Sequence, residues 1–157
     1  MKELCRTDDR WAGFILRLTL GGAILPYGIQ KLVGLFQGAG FFTVMTFFTQ
    51  RIHLPWLPAL LVILVESFGS AAVVVGCVTR LAAFMIASIM VGAVAFVQWQ
   101  HGFSMKWLGE HQGEGFEYQL LAFGISLALI VTGGGRHSVD LFLTRRFERG
   151  ERGPSRR

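Results

Sequence analysis

Glu66 constrains this chain more than any other residue, because it lies in an otherwise uncharged apolar run from Trp56 to Val78. About 20 apolar residues cross the hydrocarbon core of a bilayer, so a helix over this run places Glu66 near mid-depth. An ionisable side chain at that depth costs roughly 2.5–3.5 kcal/mol on insertion scales. We therefore expect Glu66 to be paired, protonated or part of a polar pathway.

The composition indicates an integral membrane protein. Hydrophobic residues make up 52% of the chain and charged residues 16%, against about 25% charged residues in soluble domains. The predicted fold is all-α, a bundle of four transmembrane helices in one domain, residues 1–144. Phenylalanines at near-helical spacing between Phe36 and Pro55 predict a short helix in the outer interface between the first two crossings. The four apolar stretches that predict the crossings are Trp11–Ile29, Trp56–Val78, Leu81–Val97 and Tyr118–Thr132.

The distribution of basic residues predicts the orientation in the membrane. Of the 15 Lys and Arg residues, only Lys31, Arg51 and Lys106 fall in the predicted outer loops. This bias follows the positive-inside rule, so we expect both termini in the cytoplasm, with residues 145–157 as a basic cytoplasmic tail. The net charge of +5 is thereby explained without a nucleic-acid partner.

Cysteines and histidines exclude two classes of redox protein. Cys5 and Cys77 lie toward the cytoplasm in this topology and form no Cys-x-x-Cys motif, which excludes a disulfide oxidase with paired thiols at the outer face. No histidine falls within a predicted crossing, so the bundle lacks ligands for a haem. An outer metal site is a weak alternative, because its residues match no strong metal motif; they are His101, Glu110, His111 and Glu114.

Depth along the helices suggests which charges meet. Counting from Trp11 and Val78 as inner boundaries, Arg17 lies about 9 Å and Glu66 about 18 Å into the bilayer. The long arginine stem makes an Arg17–Glu66 ion pair between the first two crossings feasible, and Lys31 and Glu117 could pair near the outer interface. Three interpretations stay open: a bundle locked together by charge pairs, a polar site for a quinone-like or other small organic ligand, and a proton or substrate pathway.

Four motifs, in order and over nearly the whole chain, resemble the DoxX family of small four-helix membrane proteins. They are Arg17 with Gly21 and Gly28-Ile-Gln-Lys31-Leu32; Glu66-Ser-Phe-Gly69; Gly76-Cys-Val-Thr79-Arg80; and Gly133-Gly-Gly135-Arg-His-Ser138-Val-Asp140. The resemblance implies a multi-pass protein of the bacterial inner membrane that is linked to quinone or thiol redox complexes and to oxidative stress. Any redox centre would come from quinone or a partner protein, because the sequence has no haem, flavin or iron–sulfur motif.

The leading hypothesis is a membrane subunit that supports quinone-linked or thiol and sulfur redox chemistry. In it Glu66 accepts or donates a proton, with Arg17 setting its charge. The ligand-binding candidates are Lys31, Glu117, Arg80 and Asp140, and redox-complex proteins or further copies of the chain are the expected partners. A non-enzymatic scaffold whose charges fix helix packing is the alternative, and a small transporter is the third.

Overall fold

The computed structural model describes residues 11–35, 38–104 and 115–151, with side chains up to residue 146. Within these residues every regular element is helical. The helices are α1 (Trp11–Val33), α2 (Gly40–Thr46, continued by a π-helical turn at Phe47–Arg51), α3 (Trp56–Val75), α4 (Thr79–His101), α5 (Glu117–Thr132) and α6 (Val139–Glu151).

Three helices, α1, α3 and α4, are long and apolar enough to cross a membrane. Helix α5 is also apolar, but its 16 residues rise only about 24 Å. The prediction of a multi-pass helical membrane protein is therefore supported, whereas the fourth crossing and the cytoplasmic location of the termini stay predictions. Helix α6 continues across the proposed boundary between residues 144 and 145 as far as Glu151.

The main core lies between α1, α3, α4 and α5, and each of these helices contributes small or branched apolar side chains. Many large apolar side chains point outward instead; for example, Phe68, Phe84 and Phe96 are each more than half exposed. Outward apolar side chains on helices of this length suit contact with lipid tails. The buried core residues are Leu20, Ile24, Val65, Val73, Ala82, Ala83, Ile86, Met90, Ala122 and Leu129.

Helix α2 forms a second, smaller core against the first half of α3. Met45 of α2 packs with Ala59 and Ile63 of α3, and Phe41 and Phe48 border this cluster. The structure thus confirms a short helix between the first two crossings. Its location in the membrane interface stays a prediction, and Phe36, where the predicted segment begins, lies outside the described residues.

The antiparallel course of the helices gives the bundle two ends, which we name after their basic residues. At the Arg17 end, α1 begins, α3 passes into α4 and α5 ends; Arg17 itself reaches Val74 near the end of α3. At the Lys31 end, α1 ends, α3 begins, α4 ends and α5 begins.

Helices α1 and α3 approach closely because α1 carries glycine where the two backbones meet. A Cβ atom at Gly28 would overlap the backbone of Glu66 and Ser67, and a Cβ at Gly21 would lie 2.9 Å from the Ser70 carbonyl oxygen. Ser67 Oγ also donates a 2.9 Å hydrogen bond to the Gly28 carbonyl. Small residues allow such contacts between membrane helices, so Gly28 fixes the level at which α1 crosses α3.

Replacing Gly28 should therefore destabilise the bundle. We expect Gly28→Ala to lower the free energy of unfolding by about 1–3 kcal/mol, because the added methyl group must push the α3 backbone away. Gly22→Ala is the matched control, since a Cβ at Gly22 meets no atom within 4 Å. Thermal unfolding of the two purified variants in detergent compares them, and equal midpoints would contradict the close-approach argument.

Candidate functional site: two charged clusters and an apolar cavity

The six residues singled out from the sequence do not form one pocket. Arg17, Arg80 and Asp140 lie at the Arg17 end, where they contact the connections between helices. Lys31 and Glu66 meet toward the Lys31 end. The expected Arg17–Glu66 ion pair is therefore wrong, and Arg17 does not set the charge state of Glu66 by direct contact.

Arg17 is fully buried, and backbone carbonyls receive its hydrogen bonds. Its guanidinium donates to the carbonyl oxygens of Val74 at 3.0 Å, Arg136 at 3.3 Å and His137 at 3.1 Å. These carbonyls belong to the last turn of α3 and to the connection between α5 and α6. Because unsatisfied carbonyls at helix ends carry partial negative charge, they stabilise a buried cation.

Gly76 makes room for this guanidinium. Its φ of 76° lies in the left-handed region, and a Cβ there would overlap the Arg17 guanidinium. Glycine adopts such a conformation without steric cost and ends the helix. The glycine at the start of the Gly76–Arg80 motif is thus explained by the buried arginine next to it.

Asp140 caps a helix to which it does not belong. Its two carboxylate oxygens accept hydrogen bonds from the backbone amides of Val78 and Thr79, both at 2.8 Å. Thr79 begins α4 and Val78 directly precedes it, and the Val78 side chain makes no capping hydrogen bond. A carboxylate at this position satisfies two free amides and favours the positive end of the α4 dipole. Asp140, a ligand-binding candidate from the sequence, is thus a helix cap in the structure.

The remaining polar groups of the Arg17 end also bind helix termini. Arg80 donates to the Val131 carbonyl near the end of α5 at 3.2 Å. The Ser138 hydroxyl accepts from the Leu141 amide at 3.0 Å and so caps α6. Together with Arg17 and Asp140, these contacts hold the ends of α3 and α5 and the starts of α4 and α6 in one polar cluster.

Glu66 forms its ion pair with Lys31 of α1, and both groups are largely withdrawn from solvent. The direction of helical side chains explains why Lys31 is the partner and Arg17 is not. Helical Cα–Cβ bonds tilt toward the helix amino terminus. In α1 this tilt sends Arg17 toward the end of the bundle and Lys31 toward its middle, while in antiparallel α3 it sends Glu66 toward the Lys31 end.

The helix around Glu66 is not a regular α-helix. Val65–Gly69 forms a π-helical turn, and the hydroxyls of two serines donate hydrogen bonds to backbone carbonyls in or just before it. Ser70 Oγ donates to the Glu66 carbonyl, and Ser67 Oγ donates to the Ile63 carbonyl at 2.8 Å. Such turns are rare and often occur at functional sites.

A cavity of about 650 Å³ opens beside the Lys31–Glu66 pair, between α2, α3 and α4. Its walls are mainly apolar, and the two charged side chains lie in one wall. All three π-helical turns of the described chain contribute to it, through Phe47 and Phe48, Glu66, and Phe96 to Gln98. The remaining apolar lining includes Val44, Ile52, Leu54, Leu61, Val62 and Ile89.

This cavity has the features of a site for a lipid-soluble ligand. Small-molecule sites are typically apolar clefts of about 300–1,000 Å³ with a few polar groups that fix orientation. The Lys31 ammonium supplies hydrogen-bond donors and Glu66 a carboxylate. The sequence did not reveal the cavity, although the phenylalanines whose spacing predicted α2 include Phe47 and Phe48 of its wall.

Tyr27 of α1 and Tyr118 of α5 meet toward the Lys31 end, where their rings are 6.0 Å apart. Glu117, the neighbour of Tyr118, begins α5, and its backbone amide donates to the Phe103 carbonyl at 3.0 Å. Lys31 pairs with Glu66 rather than with Glu117.

The weak metal-site alternative gains no support from the described residues. Among them no group of three or more His, Cys, Asp or Glu side chains could hold a metal ion. His101 ends α4 and faces the Val97 carbonyl through Nδ1 at 3.1 Å. The other three candidates, Glu110, His111 and Glu114, lie outside the described residues.

Comparison with known proteins identifies a family for most of this architecture. The DoxX family model matches residues 12–99, which is more than half of the chain and includes the first three of the four sequence motifs. The resemblance inferred from those motifs is confirmed. No curated protein and no solved structure matches the chain significantly.

The Lys31–Glu66 contact can be tested by zero-length cross-linking. A lipid-soluble carbodiimide activates the Glu66 carboxyl, and the adjacent Lys31 amine should then form an amide with net loss of one water. We expect the joined Lys31 and Glu66 peptides as the main internal cross-link in mass spectrometry. Lys31→Arg keeps the charge but lacks a nucleophilic amine, so it should abolish the product. A Lys31–Glu117 product in its place would contradict the assignment.

The cap formed by Asp140 should be measurable as stability. We expect Asp140→Ala to lower the free energy of unfolding by about 2–3 kcal/mol, since two buried amides lose a charged acceptor. Asp140→Asn keeps one acceptor oxygen and should lose less. Chemical unfolding in mixed micelles provides the measurement, and an alanine variant as stable as the parent would rule out the capping role.

Proposed function

The chain belongs to the DoxX family of membrane proteins, and on that premise we propose that it binds a quinone in the cavity beside Lys31 and Glu66. In this proposal it is a small subunit of the bacterial inner membrane that supports quinone-linked redox chemistry. The observation that carries the proposal is the ion pair in the wall of an otherwise apolar cavity.

The cavity residues fit the chemistry of a quinone. A quinone has an apolar ring and tail and two carbonyl oxygens, which accept hydrogen bonds. The apolar walls from α2, α3 and α4 suit the ring and tail, and Lys31 has N–H groups beyond the one directed at Glu66. These groups give the headgroup a fixed donor at one side of the cavity.

A bound quinone supplies two-electron, two-proton redox chemistry, and the described residues provide for the protons. Glu66 accepts or releases a proton next to the headgroup, and the Lys31 ammonium lies against its carboxylate. Lys31 is thus the charged partner of Glu66 that the sequence suggested Arg17 to be. The electrons come from a redox cofactor or thiol of a partner protein, which makes the chain a subunit of a larger complex.

A non-enzymatic scaffold is the second candidate, and the Arg17 end favours it. Arg17, Arg80 and Asp140 bind backbone groups of helix termini and need no ligand to account for their burial. In that case the charged residues at this end would fix helix packing and present a surface to partner proteins or to further copies of the chain. Quinone binding requires the Glu66 carboxylate for retention of the ligand, whereas the scaffold does not.

Glu66→Gln should reduce the quinone retained by the gently purified protein. Loss of the carboxylate leaves Lys31 without its ion partner and removes the proton acceptor. Since a hydrogen bond to a charged group contributes about 1.5–3 kcal/mol, we expect retention to fall by roughly tenfold or more. Chromatography of extracted lipids, normalised to folded protein, measures it.

Asp140→Asn is the matched control, because it makes the same acid-to-amide change at the opposite end of the bundle. It should leave the quinone content per folded molecule unchanged, even where it lowers stability. Equal quinone content in the parent, the Glu66→Gln variant and the control would contradict the proposed function and favour the scaffold.

A further inference from the structure

Helix α6 presents two arginines and a phenylalanine on its outward face. Phe142, Arg145 and Arg146 are all exposed, and their spacing of three and four residues places them on one side of the helix. Phe142 is 63% exposed, whereas Asp140, on the opposite side, is 1% exposed. The outward face of α6 therefore combines positive charge with an apolar ring.

The sequence of α6 separates basic from acidic positions. At 3.6 residues per turn, Glu148 and Glu151 fall within about a quarter turn of Asp140, whereas Arg149 falls one turn after Arg145. Alternating charges along one face are typical of a solvated helix. A cluster of basic residues next to a membrane segment is instead typical of binding to anionic lipids.

The first turn of α6 is fixed at the level where α3 ends and α4 begins. The Asp140 carboxylate accepts from the amides of Val78 and Thr79, and the Asp140 amide donates to the Gly76 carbonyl at 2.9 Å. Helices α3 and α4 are long and apolar enough to cross a membrane, so the turn between them lies at a membrane surface. Helix α6 thus begins at the depth of the lipid headgroups.

Trp11 marks the same level at the start of α1. Its ring is 54% exposed and lies 5.9 Å from the ring of His137, and the guanidinium of Arg136 lies 4.8 Å from its centroid. Arg136 and His137 lead directly into α6. Tryptophan is enriched at membrane interfaces, because its ring is apolar and its N–H group is polar.

We propose that the Arg17 end binds anionic phospholipids through α6, with Arg145 and Arg146 at the phosphate groups and Phe142 at the boundary of the acyl chains. The exposed Phe142 favours a lipid surface over a soluble acidic partner, because an apolar ring beside two arginines gains free energy when it leaves water for lipid. Each basic residue near an anionic membrane surface strengthens binding by about fivefold. This surface lies at the opposite end of the bundle from the cavity, so the inference is independent of the proposed function.

Quenching of tryptophan fluorescence by brominated lipids measures which lipid surrounds each end. One form of the full chain keeps Trp11 as its single tryptophan, and a second keeps Trp99, which is 71% exposed at the Lys31 end; phenylalanine replaces the others. Each is reconstituted in equal mixtures of phosphatidylglycerol and phosphatidylcholine, of which only one lipid is brominated. We expect brominated phosphatidylglycerol to quench Trp11 more strongly than brominated phosphatidylcholine does, and added salt to weaken this preference.

Arg145→Gln combined with Arg146→Gln should lower the relative binding constant for phosphatidylglycerol at Trp11 by about fivefold or more. Quenching at Trp99 should not change. Arg145→Lys combined with Arg146→Lys is the matched control, because it keeps both charges and should retain the preference.

Equal quenching of Trp11 by the two brominated lipids before the arginines are replaced would overturn the inference and assign the basic face to an acidic protein partner. An undiminished preference in the glutamine variant would also overturn it. So would an equal loss at Trp11 and Trp99, since that result indicates a general change of the bundle. The assay contains no quinone, so none of these results bears on the proposed function.

Discussion

The register between α1 and α3 determines where every charged group of the first two apolar runs lies. At Gly28 the two backbones touch at the level of Glu66 and Ser67, and the antiparallel course then brings Arg17 to Val74 and Lys31 to Glu66. A buried charge needs compensation in a medium without water. The register set at Gly28 compensates both cations: helix-end carbonyls accept hydrogen bonds from Arg17, and the Glu66 carboxylate pairs with Lys31.

Sequence patterns predicted the helices because these depend on local features such as apolar runs. The cap by Asp140 joins residues 62 positions apart along the chain, so no local pattern specified it. The predicted ion pair between Arg17 and Glu66 was wrong because the depth estimate counted only positions along straight helices. It neglected the tilt of side chains toward each helix amino terminus, which turns Arg17 away from Glu66 and Lys31 toward it. The cavity depends on how α2 packs against α3 and α4, and no local pattern specifies that packing.

The two charged clusters lie at opposite ends of the bundle and have different surroundings. At the Arg17 end, charged side chains bind backbone groups of α3, α4 and α5, and Arg17 also binds the connection between α5 and α6. At the Lys31 end, the charged pair borders an apolar cavity. A charged residue that only fixed packing would have no need of an adjoining cavity, whereas a residue that binds a ligand requires one.

Irregular helical geometry is concentrated where that ligand would bind. In the described chain the π-helical turns at Phe47–Arg51, Val65–Gly69 and Val94–Gln98 all contribute side chains to the cavity. A π-helical turn gives up the regular hydrogen-bond ladder, and at Glu66 the neighbouring serine hydroxyls compensate within the protein. The cavity's polar groups Glu66 and Gln98 therefore both lie on segments whose geometry departs from the regular ladder, as is common where helices form binding sites.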